Sequence, residues 1–92
     1  MTRLTASEIT EGLKNLPGWQ IKGSAITKTF GFDNFVDAIA FVDKVADLAE
    51  RAAHHPDILI EYSHVTLTLS THSEGGITQK DLDLAKNLEG IK

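Results

Sequence analysis

Four histidines stand at positions 54, 55, 64 and 72, and none in the first half of the chain. Histidine both gives and takes a proton near neutral pH, so a group of them suits general acid–base work. His54 and His55 directly precede Pro56, and His72 lies just before a Gly-Gly pair. Glu50 precedes His54 by one helical turn, so the two can face the same way. A carboxylate there orients an imidazole and favours its protonated form. A helix C-terminus does the same, which suits a general acid at His54 or His55. Two or three histidines around a pocket fit a reaction that moves one proton in and another out, such as a dehydration, with no covalent nucleophile.

Blander readings compete with this one. A His-His-Pro run at a helix end is also a cap and stop signal, and spacing alone favours that reading. Glu50, His54, His55 and His72 carry the atom types that hold zinc. Adjacent histidines rarely converge on one ion, however, and the spacing of a His-Glu-x-x-His motif is missing. His64 falls in a predicted hairpin loop and reads as a solvated turn residue. Ser70 could be only a strand-face hydroxyl, and the single tryptophan, Trp19, reads as core. The residue types thus reach a histidine acid/base site, with helix capping as its rival, and stop short of a substrate.

The elements that must hold these side chains follow from periodicity. Thr5 and Glu8 have capping-box spacing and predict a short helix with Ile9 and Leu13 inward. Pro17-Gly18 reads as a turn. Alternation predicts a hairpin of strands near 19–22 and 25–31. Lys28 shares the face of Ile26 and Phe30, where a lysine can bury its stem and keep its charge in water. Asp33 is the expected N-cap of a helix over about 34–53. Along it, Phe35, Ile39, Val42, Ala46, Ala49 and Ala53 form one apolar stripe, and Phe41, Val45, Leu48 and Ala52 a second. Two stripes imply either a wide core face or a helix-to-helix contact between copies. Pro56 stops the helix.

A second hairpin, 57–62 and 65–71, is expected to turn at Ser63-His64. It would place Tyr62, Ile60 and Ile58 opposite Val65, Leu67 and Leu69 on one face, with His72 ending the last strand. Leu59, Glu61, Thr66, Thr68 and Ser70 take the other face. Thr78 with Asp81 opens a last helix, with Leu84, Leu88 and Ile91 inward. The order α-β-β-α-β-β-α predicts an α+β fold, with helices packed on one face of a four-stranded antiparallel sheet.

Bulk properties set limits. Ninety-two residues argue for one domain, 1–92, with a thin stability margin that oligomerisation would widen. A net charge of −4, from 13 acidic and 9 basic residues, with no basic cluster, disfavours direct nucleic-acid binding. The absence of cysteine removes disulfides and thiolate catalysis. No apolar run approaches a membrane span and none resembles a signal peptide, so a cytoplasmic setting is expected.

A more specific pattern emerges from the residues together. Glu50, the His54-His55-Pro56 run, Tyr62 six residues after the proline, His72 ten residues later and then Asp81 resemble the signature of the pterin-4a-carbinolamine dehydratase family. The stretch from Val65 to His72, the Gly-Gly pair, the Asp81-x-x-Leu84-Ala85 segment, Gly18-Trp19 and the Phe30, Phe32, Phe35 run are similar too. The resemblance covers nearly the whole chain. It implies dehydration of 4a-hydroxytetrahydropterin to quinonoid dihydropterin, in tetrahydropterin recycling, with no metal or organic cofactor.

The same resemblance implies roles. His54 and His72 would be the acid/base pair, His55 would hold the pterin, and Glu50 would orient His54. Ser70, Thr71 and Ser73 would line the pterin-binding turn, and Asp81 would support the site. It also implies a homodimer built through sheet edges or a homotetramer built through helices, the latter placed at Phe41, Val45 and Leu48. Some animal members double as dimerisation cofactors of a transcription factor, so a non-catalytic dimerisation or transcriptional-cofactor module is the alternative. Ile58 departs from the aromatic that many members carry two residues after the proline.

Overall fold

A computed structural model describes residues 2–92. Helix α1 (Ala6–Leu13) is followed by strands β1 (Gln20–Lys22) and β2 (Ala25–Gly31), then helix α2 (Phe35–Ala52). Strands β3 (Asp57–Glu61) and β4 (His64–Leu69), a 3₁₀ turn (His72–Glu74) and helix α3 (Gln79–Ile91) complete the chain. The order is the expected one. The four strands form one antiparallel sheet in the order β1-β2-β4-β3.

Alternation decides which face is covered. Ile26, Phe30, Val65, Leu67 and Leu69 are all buried, and the helices supply their partners: Ile9, Ala38, Phe41, Val45, Leu84, Ala85 and Leu88. The aromatic rings interlock, with Phe30 4.9 Å from Phe41 and Trp19 edge-on to Phe30 at 6.1 Å. The opposite face is lined with threonines that pair across the β2–β4 ladder, Thr27 with Thr68 at 3.1 Å and Thr29 with Thr66 at 2.8 Å. One apolar face and one hydroxyl face is what a half-covered antiparallel sheet requires.

Lys28 differs from its expected solvation. Its stem is buried, as read, but its ammonium is not left to water: Nζ donates to Glu89 at 2.7 Å and to the Pro17 carbonyl at 2.8 Å. Glu89 also accepts from the Trp19 indole at 3.2 Å. The charge is tolerated among apolar neighbours because α3 brings a carboxylate to it.

Three boundaries move. The N-cap of α2 is Asn34, not Asp33, because the Asn34 side chain reaches the Asp37 amide at 2.8 Å. The second hairpin turns at Tyr62-Ser63, and His64 is the first residue of β4 rather than a loop residue. The Ser63 carbonyl accepts from the Phe32 amide at 2.8 Å, which ties the turn to the end of β2. Ile60 therefore pairs with Val65 and Ile58 with Leu67, a shift of two that keeps Ile58 and Ile60 on their expected face, while Tyr62 leaves the strand for the turn and is exposed. Strand β4 ends at Leu69 and not at His72, because Thr71 turns back to bridge Gly76.

The two stripes of α2 also resolve differently. The core face is Ala38, Phe41, Val45 and Ala49, with Val42 and Leu48 packed beside it. Phe41 and Val45 are thus buried within one chain and unavailable for the helix contact between copies expected of them. Phe35, at the start of the first stripe, is 48% exposed.

Candidate active site

The site begins where α2 fails to continue. Ala53 takes left-handed angles (φ 52°, ψ 38°), and the His54 amide donates back to the Ala49 carbonyl at 3.1 Å, a helix-terminating arrangement. The chain direction changes at that residue. Glu50 and His54 therefore do not share a helical face, and the expected Glu50–His54 contact is absent. The Glu50 carboxylate instead pairs with His55 Nε2, with both side chains well exposed.

His54 turns towards the first turn of α3. Its Nε2 meets Asp81 Oδ1 at 2.5 Å. Asp81 occupies the third position of α3, where its carboxylate closes a capping box with Thr78. It is wholly buried. Its other oxygen accepts from the Thr71 hydroxyl and from the Thr78 amide, each at 2.9 Å. The Thr71 and Thr78 hydroxyls lie 2.8 Å apart. Four side chains from the end of α2, the segment after β4 and the start of α3 thus meet in one knot. Among the described residues, every buried side-chain nitrogen and oxygen in the protein has a partner.

Thr71 also fixes the loop that carries His72. Its amide donates to the Gly76 carbonyl at 2.8 Å and its carbonyl accepts from the Glu74 amide at 3.0 Å. Gly75 closes the loop at φ 68°, a conformation that favours glycine. His72 and Ser73 are exposed on this loop. Ser70 is used elsewhere: its hydroxyl donates to the Ser24 carbonyl at 2.9 Å, tying β4 to the first hairpin.

Of the expected set, His54, Thr71 and Asp81 are brought into direct contact, and His72 and Ser73 are held next to Thr71 along the chain. His55 and Glu50 form a separate exposed pair. A cleft of about 180 Å³ opens beside His54, lined by Ala52, Lys80, Asp83, Leu84 and Asn87. Neither His55 nor His72 lines it. Thr78 escaped the sequence reading as a site residue, although its capping spacing with Asp81 was visible; what sequence could not show is that the same carboxylate meets His54. Among the described residues no group of three or more histidines and carboxylates is arranged to hold a metal ion.

Chemically, the knot presents an imidazole braced by a buried carboxylate, beside a loop that offers a second, solvent-facing imidazole. That combination suits proton transfer to and from a small molecule bound at the surface.

Comparison with known proteins gives one consistent result. The family model described as pterin 4 alpha carbinolamine dehydratase matches residues 2–91. A relative from Roseiflexus sp., provisionally named pterin-4-alpha-carbinolamine dehydratase, is 54% identical over 90 residues, covering 98% of this chain and 97% of its own. One from Thermomicrobium roseum with the same provisional name is 50% identical over 88 residues, covering 96% and 95%. Among solved structures, a transcriptional coactivator/pterin dehydratase from Brucella melitensis superimposes with a TM-score of 0.93 at 42% identity, covering 98% of each chain. A pterin dehydratase-like protein described as a RuBisCO assembly factor in the alpha-carboxysome gives a TM-score of 0.65 at 26% identity, covering 79% of this chain and 84% of that one.

Proposed function

The chain belongs to the pterin 4 alpha carbinolamine dehydratase family, and from that premise we propose that it dehydrates 4a-hydroxytetrahydropterin to quinonoid dihydropterin. The observation that carries this reading is the bond from His54 to a buried carboxylate that also holds the segment leading into His72. In the reaction the C4a–O bond breaks and the departing hydroxyl takes a proton from a general acid, leaving as water. A ring N–H gives its proton to a general base. One proton enters and one leaves, so two imidazoles suffice; the acid ends deprotonated and the base protonated, and exchange with solvent restores each for the next turnover.

His54 and His72 are the pair assigned to these transfers. Asp81 braces His54, and His55, paired with Glu50, holds the pterin. Ser73 and the backbone of the His72 loop line the binding turn. Thr71 serves by anchoring that loop and Ser70 by anchoring β4, rather than by offering free hydroxyls. No resident metal or organic cofactor is required by this chemistry.

The reading places residues 1–92 as one catalytic domain in tetrahydropterin recycling, in the cytoplasm. No described helix is long and apolar enough to cross a membrane. A homodimer or homotetramer is the proposed assembly. The β3 edge supports it, with Ile58, Leu59 and Ile60 partly exposed on a strand that lacks a second neighbour. The alternative of a non-catalytic dimerisation or transcriptional-cofactor module is weakened by the full acid/base set. The two solved relatives whose names mention other roles do not assign those roles to this chain.

The test is a stopped-flow assay with 4a-hydroxytetrahydropterin generated in situ. The protein should accelerate dehydration above the buffer rate, and the His54→Ala, His72→Ala double variant should lose about 10²–10⁴-fold of that acceleration. No acceleration by the wild-type protein sinks the proposal, and an unimpaired double variant sinks the role assignment.

A further inference from the structure

With Asp81 as an ionised carboxylate that only accepts, counting protons fixes the direction of each bond around it. Thr71 has a single hydroxyl proton, and it is donated to Asp81 Oδ2 at 2.9 Å. The 2.8 Å bond between the Thr71 and Thr78 hydroxyls must therefore run from Thr78 to Thr71. The Thr78 oxygen in turn accepts from the Lys80 amide at 3.3 Å. The chain of donation is Lys80 amide to Thr78, Thr78 to Thr71, and Thr71 to Asp81. The Thr78 amide adds a second donor to the same carboxylate oxygen at 2.9 Å.

Two donors converging on one carboxylate oxygen suit an anion. An ionised carboxylate only accepts, so the contact of Oδ1 with His54 is a donation from Nε2–H. In the neutral imidazole, Nδ1 is then the bare nitrogen. Nδ1 has no hydrogen-bond partner among the described residues. Since every buried side-chain nitrogen there has one, Nδ1 is not fully enclosed, and His54 lines the cleft beside it.

We propose that Thr78 is a positioning residue: through Thr71 and Asp81, its hydroxyl holds His54 in the Nε2–H form, so that Nδ1 is the atom that exchanges a proton with substrate. The substrate half of this statement rests on the dehydratase reading, and the tautomer half does not. Thr78 is wholly buried and touches no ligand-accessible surface, so its influence passes through the two side chains between it and the imidazole. Thr71 is recast in the same way, from a lining residue to a link.

The imidazole nitrogens of ¹⁵N-labelled protein, recorded without substrate, read the tautomer directly, and dehydration kinetics read its consequence. Wild-type His54 should carry its proton on Nε2. Thr78→Val, which keeps the shape and removes the hydroxyl, should shift His54 towards a tautomer mixture. It should lower kcat about tenfold with KM unchanged, the rate equivalent of one buried hydrogen bond. Thr78→Ser, which restores the hydroxyl, should recover both the spectrum and the rate. A purely structural role for Thr78 would change stability without moving the tautomer.

If Thr78→Val does not fold, Thr71→Val, which interrupts the same chain one link later, should give the same shift in spectrum and the same loss. A wild-type His54 protonated on Nδ1 overturns the proposal, as does a variant lacking either hydroxyl whose His54 spectrum and kcat match the wild type. A wild-type protein that shows the Nε2–H form but no dehydration removes the dehydratase reading and, with it, only the substrate half of the proposal.

Discussion

His54 and His55 are neighbours in sequence, and each pairs through Nε2 with a carboxylate, yet they lie in opposite environments. The side chains of His54 and Asp81 are 11% and 0% exposed, whereas those of His55 and Glu50 are 62% and 76% exposed. In the buried pair, Asp81 is held by the Thr71 hydroxyl and the Thr78 amide, and His54 is held by Asp81. Among the described residues, the side chains of the exposed pair bond only to each other. Solvent screens such a pair, and its two side chains lose rotational freedom to form it, so its contribution to stability is small. The first arrangement fixes an orientation that chemistry can use. The second leaves an imidazole free to adapt to a ligand. A single left-handed residue, Ala53, ends α2 before either histidine, so neither continues the helical face of Glu50.

The largest break in this contrast comes from removing the buried carboxylate. Asp81→Ala leaves the Thr71 hydroxyl and the Thr78 amide without an acceptor and His54 without its brace. It should cost about 3–5 kcal/mol in urea denaturation, a large share of the stability of so small a domain.

A smaller change sharpens the contrast without touching either pair. Ala53→Gly relieves the strain of a left-handed alanine, offset by the extra freedom of glycine in the unfolded chain. A net gain of about 0.5–1 kcal/mol is expected, visible as a raised Tm. An unchanged or lowered Tm would show that the left-handed alanine stores no such strain.

The smallest effect is expected at the exposed pair. Glu50→Ala should change stability by less than about 0.5 kcal/mol. A loss of several times that amount would mean that the exposed pair is held by contacts absent from a single chain, such as those of an assembled oligomer.

Much of this was legible in the sequence, for physical reasons that differ by element. Both capping boxes, Thr5 with Glu8 and Thr78 with Asp81, were visible because capping is a local interaction between residues three apart. The sheet faces were legible because strand alternation has a period of two. Even the misplaced turn at Ser63-His64 moved the pairing by two and so preserved the face of Ile58 and Ile60. The observed turn accepts a hydrogen bond from the Phe32 amide, far away in sequence, a contact that no local rule could supply.

The α2 stripes failed for a related reason. The real core face draws Phe41, Val45 and Leu48 from one stripe and Val42 and Ala49 from the other, and adds Ala38, which belonged to neither. Periodicity located an apolar arc wider than the face the sheet covers, without saying which part of it would be used.

At the site, the residue types were legible and their pairings were not. Glu50 was matched to His54 by helical spacing, on the assumption that the helix reached His54. It ends at Ala52. The bonds from His54 to Asp81 and from Thr71 to Thr78 join residues 27 and 7 apart, across loops whose paths sequence does not specify. Lys28 and Glu89, 61 residues apart, were beyond reach on the same ground.

On the proposed function, the buried His54–Asp81 pair governs chemistry and the exposed His55–Glu50 pair governs binding. This division is tested most directly by matched charge-removing variants, Asp81→Asn and Glu50→Gln, in the stopped-flow dehydration assay. Asp81→Asn should lower kcat by about a hundredfold or more with little change in KM. Glu50→Gln should raise KM about threefold and leave kcat within a factor of about two. Equal effects of the two substitutions on kcat, or a larger loss from Glu50→Gln, would contradict it.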